Sequence, residues 1–248
     1  MDEEVIKRIM SPYPIQEEIV EQSTPVVSFG HYKEARVFTL GINPSNKEFE
    51  NKNKELLKNN KRRLQTYSSL KLNSYTELTF DKTLKIFEWC QNYFDKETYY
   101  KTWFNKFNPI LNSIGCSYFK PPYAAHVDLA QWATKKKWQE LDKNQKEILI
   151  NDGREFLQYQ LKSENLEILL LNGKSVIDSF LEWSNLKVIK RFNFEIPKGK
   201  NSNIIIGLYD NRIKVIGWSV NLQSSFGLYN SDIERLAEKV KNLIDSDF

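Results

Sequence analysis

A chain of 248 residues with a formal net charge of +4 is long enough to bury one full α/β core. Its Lys and Arg are interleaved with Asp and Glu instead of gathered in a tail, so composition permits a polyanionic partner without requiring one. Cys90 and Cys116 are the only cysteines and His31 and His126 the only histidines, too few for a structural zinc or a four-thiolate iron–sulfur cluster.

Met1-Asp2-Glu3-Glu4 is acidic where a signal peptide is basic, and no apolar run reaches the length of a membrane span. The expectation is a reduced cytoplasmic protein with no membrane partner, no metal cluster and no cofactor. Residues 1–23 read as an N-terminal helical appendage in which Pro12 and Pro14 separate two short helices. Residues 24–248 read as a single α/β domain with a helical insertion at about 47–120.

Two β-rich runs come first, Pro25–Phe29 and Arg36–Leu40, joined by a turn carrying Gly30. A charged stretch from Asn46 to Leu72 leads into helices over about 81–115 that are dense in aromatics, Phe87, Trp89, Tyr93, Phe94, Trp103, Phe104 and Phe107 among them. Ala124–Leu129 reads as a strand. A helix from about Lys143 to Ser163 places Ile148, Phe156, Leu157 and Leu161 at helical spacing. A buried strand over Leu166–Leu171, a helix opened by Gly173, strands at Ile204–Ile206 and Ile213–Ile216, and a final helix capped by Ser231 complete the chain. Strands separated by helices predict a three-layer α/β/α fold with a central, mostly parallel, four- to five-stranded sheet. Ligands bind such sheets beyond the carboxyl ends of the strands. Polar residues fall there at Asn43–Ser45, at Asp128 and at Ser219–Ser225.

The sharpest of these is Gly41-Ile42-Asn43-Pro44-Ser45. Proline disfavours the α region for the residue before it, so Asn43 is held extended at a strand tip. A carboxamide placed there can orient a water although it is too weak a base to deprotonate one. Alone, the pentapeptide is also simply a good turn.

The run Val37–Ser45 resembles the first motif of the mismatch-specific, thymine and single-strand-selective branches of the uracil-DNA glycosylase superfamily. Gly153-Arg154, Leu166–Leu171 and Gly173-Lys174, then a strand, a polar loop and an amphipathic helix, resemble the latter half of the mismatch-specific enzymes. The resemblance spans roughly residues 25–245. It implies that Asn43 positions the hydrolytic water, with Ser45 in place of the usual Gly and able to contact a phosphate.

The family's second motif carries a proline that is missing from Gly217–Gly227 here. Asn221 is the residue this resemblance offers for supporting the departing base, with Gln223 or Ser219 as alternatives. Ser219, Ser224 and Ser225 are candidates for gripping the DNA backbone. Relatives read uracil with an Asn at the end of the second conserved strand, and Asp128 stands in that place. A carboxylate accepts from an exocyclic amino group, which uracil lacks and cytosine has, so Asp128 points to cytosine unless it is a helix cap or a surface aspartate. Phe49 and Tyr67 are candidates for stacking on a flipped base, or for packing. Arg62 and Arg63, within the basic run 58–63, are candidates for phosphate contact or for a solvated face.

The function expected is a monofunctional DNA glycosylase that flips a base from DNA, leaves an abasic site and works as a monomer. Two substrates compete: a modified cytosine such as glucosylated hydroxymethylcytosine in phage DNA, which would be antiviral defence, and uracil or another deaminated base in repair. The rival of a different class is a non-catalytic nucleic-acid-binding relative.

Overall fold

Three nearly unbroken apolar runs form the centre of a sheet, because a strand covered on both faces has no solvent side to keep polar. They are β1 (Val37–Gly41), β3 (Ile168–Asn172) and β6 (Ile213–Trp218), and all three are buried almost throughout. With β2 (Ala124–Asp128), β4 (Lys187–Ile196) and β5 (Lys200–Tyr209) they make a six-stranded sheet of order β2-β1-β3-β6-β5-β4. This is a computed structural model, and it describes residues 1–196, 200–223 and 228–246.

The β1, β3 and β6 strands are parallel, with Val37 opposite Ile168 and Ile168 opposite Lys214. β5 runs antiparallel to β6, and β4 antiparallel to β5. The sheet is therefore mixed, and it has one or two strands more than the four to five expected. The strand not foreseen is β4. It lies at the sheet edge, and a register shift between Val188 and Lys190 breaks the period of two by which a half-covered strand is recognised. A second difference is at Pro25–Phe29, which is buried but is not a strand. Its pairing is limited to an isolated bridge between Phe29 and His126, with Val26 N–H donating to the Gln131 carbonyl.

Contact density divides the chain into two compact units. The first comprises Met1–Tyr32, Ile42–Tyr100 and His126–Ser163. It contains α1 (Glu3–Ile9), α2 (Phe80–Gln91) and α5 (Lys143–Leu161). The N-terminal segment contributes Val5, Ile9, Ile19 and Val20 to its interior. There the Asp152 carboxylate takes both the Arg8 guanidinium at 2.6 Å and the Trp132 indole N–H at 3.1 Å. Asp142 caps α5 by accepting from Gln145 N–H at 2.8 Å. Its buried stripe runs through Leu149, Phe156, Leu157 and Leu161, while Ile148, expected on that stripe, is one of the exposed apolar residues. Residues 46–79 form short 3-10 turns and coil, with α2 following at Phe80.

The second unit comprises Lys33–Gly41, Lys101–Ala125 and Glu164–Phe248. It holds most of the sheet with α3 (Lys101–Phe104), α4 (Asn108–Ser113), α6 (Lys174–Trp183) and α7 (Asn230–Asp245). Gly173, between β3 and α6, has φ +102°, a conformation open to glycine and strained for other residues. α7 begins one residue before Ser231, so Tyr229 and not Ser231 is its N-cap, and the Asp232 carboxylate reaches back to accept from Tyr229 N–H at 2.9 Å. Among the described residues no helix is long and apolar enough to cross a membrane, and no cluster of His, Cys, Asp and Glu could hold a metal ion.

Candidate functional site

In the first unit the side chain of Asn43 is gripped at one end. Its Nδ2 donates to Thr134 Oγ1 at 3.1 Å, to the Pro44 carbonyl at 3.2 Å and to the Trp132 carbonyl at 3.4 Å. Two of those partners, Thr134 and Trp132, lie on the segment after β2, which is tied down by Ala130 N–H donating to the Ile42 carbonyl at 3.0 Å. α5 approaches the same segment at Gly153, where a Cβ would overlap the Leu129 carbonyl oxygen. With Nδ2 committed, Oδ1 is the end of the carboxamide left to accept a hydrogen bond. Ser45 caps the following turn by accepting from Lys47 N–H at 3.2 Å.

Asp128 is buried at the end of β2, and its Oδ1 lies 3.3 Å from His126 Nε2. A second carboxyl shares this environment. Glu48 is 2% exposed and accepts from the Tyr93 hydroxyl at 2.6 Å. Burial pushes its pKa up to about 7, the Tyr93 bond and the Arg63 charge pull it down, and the Asp128 charge adds to the rise. Burial and the neighbouring Glu48 push the Tyr93 phenol well above its ordinary value, so it remains a donor. The ring of Phe29 touches both sides, edge-on to Tyr93 at 4.7 Å and 5.6 Å from His126. Chemically, this is a pair of buried carboxyls of which one is poised to hold a proton near neutral pH.

The two aromatic candidates are both 1% exposed. Tyr67 packs 6.2 Å from Tyr13, and neither ring presents a face to solvent. Arg63 donates to the Lys47 carbonyl at 2.6 Å and the Thr98 carbonyl at 2.8 Å, and lies 4.8 Å above the Tyr100 ring. Arg62 sits 5.9 Å above Trp89. The Arg63 guanidinium thus ties the loop that carries Glu48 to Thr98, and both arginines are half-buried.

In the second unit Asn172, at the end of β3, organises the segment after β6. Its Oδ1 accepts from the Trp218 indole N–H at 3.0 Å and from Leu222 N–H at 3.1 Å. Its Nδ2 donates to Gln223 Oε1 at 2.7 Å, and Gln223 Nε2 donates to the Trp103 carbonyl at 3.1 Å. Gln223 is thus fixed at both ends. Asn221 is exposed, and its Oδ1 accepts from Gln223 N–H at 2.8 Å, which turns Nδ2 outward as a donor. Ser219 pairs with β5, its N–H donating to the Asn203 carbonyl and its hydroxyl accepting from Asn203 N–H, both at 2.9 Å. Ser224 and Ser225 lie outside the described residues.

Asn43, Ser45 and Asp128 therefore belong to one unit, and Ser219, Asn221 and Gln223 to the other. Glu48, Tyr93 and Asn172 were not legible as functional. Glu48 stood within a charged run that reads as solvated, and only its burial distinguishes it. The chain matches no known family model and no curated protein.

Proposed function

We propose that the protein is a monofunctional DNA glycosylase whose substrate is a modified cytosine flipped out of the duplex, in the service of defence against phage DNA. The observation that carries this reading is the Asn43 carboxamide, whose two Nδ2 protons face three acceptors so that Oδ1 is the end left to accept. Such an acceptor orients a water for attack on C1′ of a base whose departure is already advanced. The water oxygen bonds to C1′ and releases a proton to bulk water, the C1′–N1 bond breaks, and its electron pair leaves with the base. Cytosine departs as a neutral base only if it is protonated, whereas uracil can leave as an anion. The buried carboxyls favour the former. Asp128 accepts from the exocyclic amino group, and Glu48, its pKa raised to about 7, has a proton to give at N3.

Turnover tests the reading. The protein is incubated with DNAs carrying cytosine, hydroxymethylcytosine, its glucosylated form, uracil or hypoxanthine, and abasic sites are revealed as alkali-labile breaks. Breaks at a modified cytosine are expected. Breaks at uracil alone would return the protein to base repair, and none on any DNA would remove the enzymatic reading.

A further inference from the structure

Residues 101–112 separate by side. Trp103, Phe104 and Phe107 turn inward, with ring contacts of 4.7 Å between Trp103 and Phe104 and 5.4 Å between Trp103 and Phe107. The opposite side carries Lys101, Asn105, Lys106 and Asn112 at helical spacing. α4 packs along α7, where the Ser113 hydroxyl donates to the Ala237 carbonyl at 3.1 Å. Between this polar side and the first turns of α7 lies a groove of about 550 Å³, closed on the α7 side by Asn230 and Glu234.

The chemistry of its walls narrows the occupant. It offers two ammonium groups, four carboxamides and a hydroxyl against a single carboxylate, and no lining residue is aromatic. A nucleobase finds no ring to stack on here. Ammonium groups interspersed with neutral hydrogen-bonding amides suit a phosphodiester flanked by sugar, whose oxygens accept and whose charge needs partial neutralisation. The segment is also held firmly, since the Trp103 carbonyl beside Lys101 and Thr102 is the acceptor for Gln223.

We infer that this groove binds the sugar-phosphate backbone of DNA, with Lys101 and Lys106 as the phosphate contacts and the asparagines as the sugar and phosphate hydrogen bonders. The inference rests on the proposed action on DNA but not on excision. Its test therefore uses unmodified oligonucleotides.

Binding of fluorescent single- and double-stranded oligonucleotides is followed by anisotropy across a salt series for the wild type, Lys101→Ala/Lys106→Ala, Glu234→Gln, and, as a control on α5, Lys143→Ala/Lys146→Ala. Removing two phosphate contacts should reduce the slope of log K against log salt by about 1.4 on single strands and about 1.8 on duplex. The control should keep the wild-type slope, and Glu234→Gln should bind more tightly. Circular dichroism checks that each variant is folded. An unchanged slope in the groove variant, an equal fall in the control, or no DNA binding by the wild type would each overturn the assignment. So would inorganic phosphate competing with the oligonucleotide at equal concentration, which would mark a site for small anions. A protein that binds DNA through this groove yet excises nothing would retain the inference and lose the glycosylase reading.

Discussion

Thr134 Oγ1 donates to the Lys136 carbonyl at 2.8 Å and lies 3.1 Å from Asn43 Nδ2, so its only proton is committed and it faces Asn43 as an acceptor. That relationship decides which end of the Asn43 carboxamide points away. Asn43→Ala should lower single-turnover excision by roughly two orders of magnitude or more, as the loss of one positioned transition-state group does, with DNA binding retained. Thr134→Val keeps Asn43 but releases its orientation, at a cost of about one hydrogen bond, roughly tenfold in rate. Wild-type turnover in Thr134→Val would show that the hydroxyl does not set the orientation.

Gly153 holds α5 against the Leu129 carbonyl, and this segment carries Trp132 and Thr134 to Asn43. Gly153→Ala forces the helix or the segment to move, an overpacking cost of typically 1–3 kcal/mol. Urea unfolding should show a lowered midpoint with an unchanged slope. A midpoint equal to wild type would mean the contact relaxes without cost.

Asn172 is buried, and its oxygen is the acceptor shared by the Trp218 indole and Leu222 N–H. Asn172→Leu leaves two donors and the Gln223 Oε1 unpaired, at about 1–3 kcal/mol for each buried group left unsatisfied. Thermal unfolding should register the loss. Asn172→Asp keeps both acceptor bonds but sets an oxygen against Gln223 Oε1, so it should melt between the Leu variant and the wild type. Equal melting temperatures for the Leu variant and the wild type would place the ordering of this segment elsewhere.

What the sequence revealed and what it hid follow one physical rule. β1, β3 and β6 are buried almost throughout, so their nearly unbroken apolar runs could mean little else, and the Asn-Pro pair after β1 marks a chain turn by its covalent geometry. Pro25–Phe29 is also rich in apolar residues and just as buried, yet it joins no strand, pairing through an isolated bridge to His126 and one bond from Val26 to Gln131. Apolar content reports burial, and pairing depends on what lies alongside. The same limit applied at the site. Asp128 was visible because a strand delivered it, whereas Glu48 and Tyr93 meet across 45 residues of chain, a distance that no local pattern spans. Arg62 and Arg63 read as phosphate contacts from charge alone, and their position over Trp89 and Tyr100 is a tertiary fact.

Asp128 separates the two substrate classes. As a carboxylate it accepts from the amino group of cytosine, while an amide in its place pairs naturally with O4 and N3–H of uracil. A buried mispaired polar group costs about 1–3 kcal/mol, roughly tenfold to a hundredfold in relative rate. Asp128→Asn should lose that much on a modified cytosine relative to uracil, measured as the ratio of single-turnover rates on paired substrates. A ratio unmoved by the substitution would make Asp128 a partner of His126 and nothing more.

Glu48 offers a test that needs no substrate. Its pKa in the folded protein is pushed up to about 7 from an ordinary 4.5 by burial, against the pull of Tyr93 and Arg63 and with the push of Asp128. The folded state therefore binds this proton more tightly than the unfolded chain does. The resulting stability is complete below pH 4.5, falls as pH rises through the interval up to about 7, and is absent above it. The ceiling on the change is about 3 kcal/mol. Glu48→Gln keeps an acceptor for the Tyr93 hydroxyl and removes the titration. Urea unfolding at pH 5 and pH 8 should thus show wild type losing more stability than Glu48→Gln across the interval, with the two closest at the acid end. Parallel losses in both proteins would mean that Glu48 is ionised in the fold at pH 5, and the proton assigned to it for cytosine would have no source there.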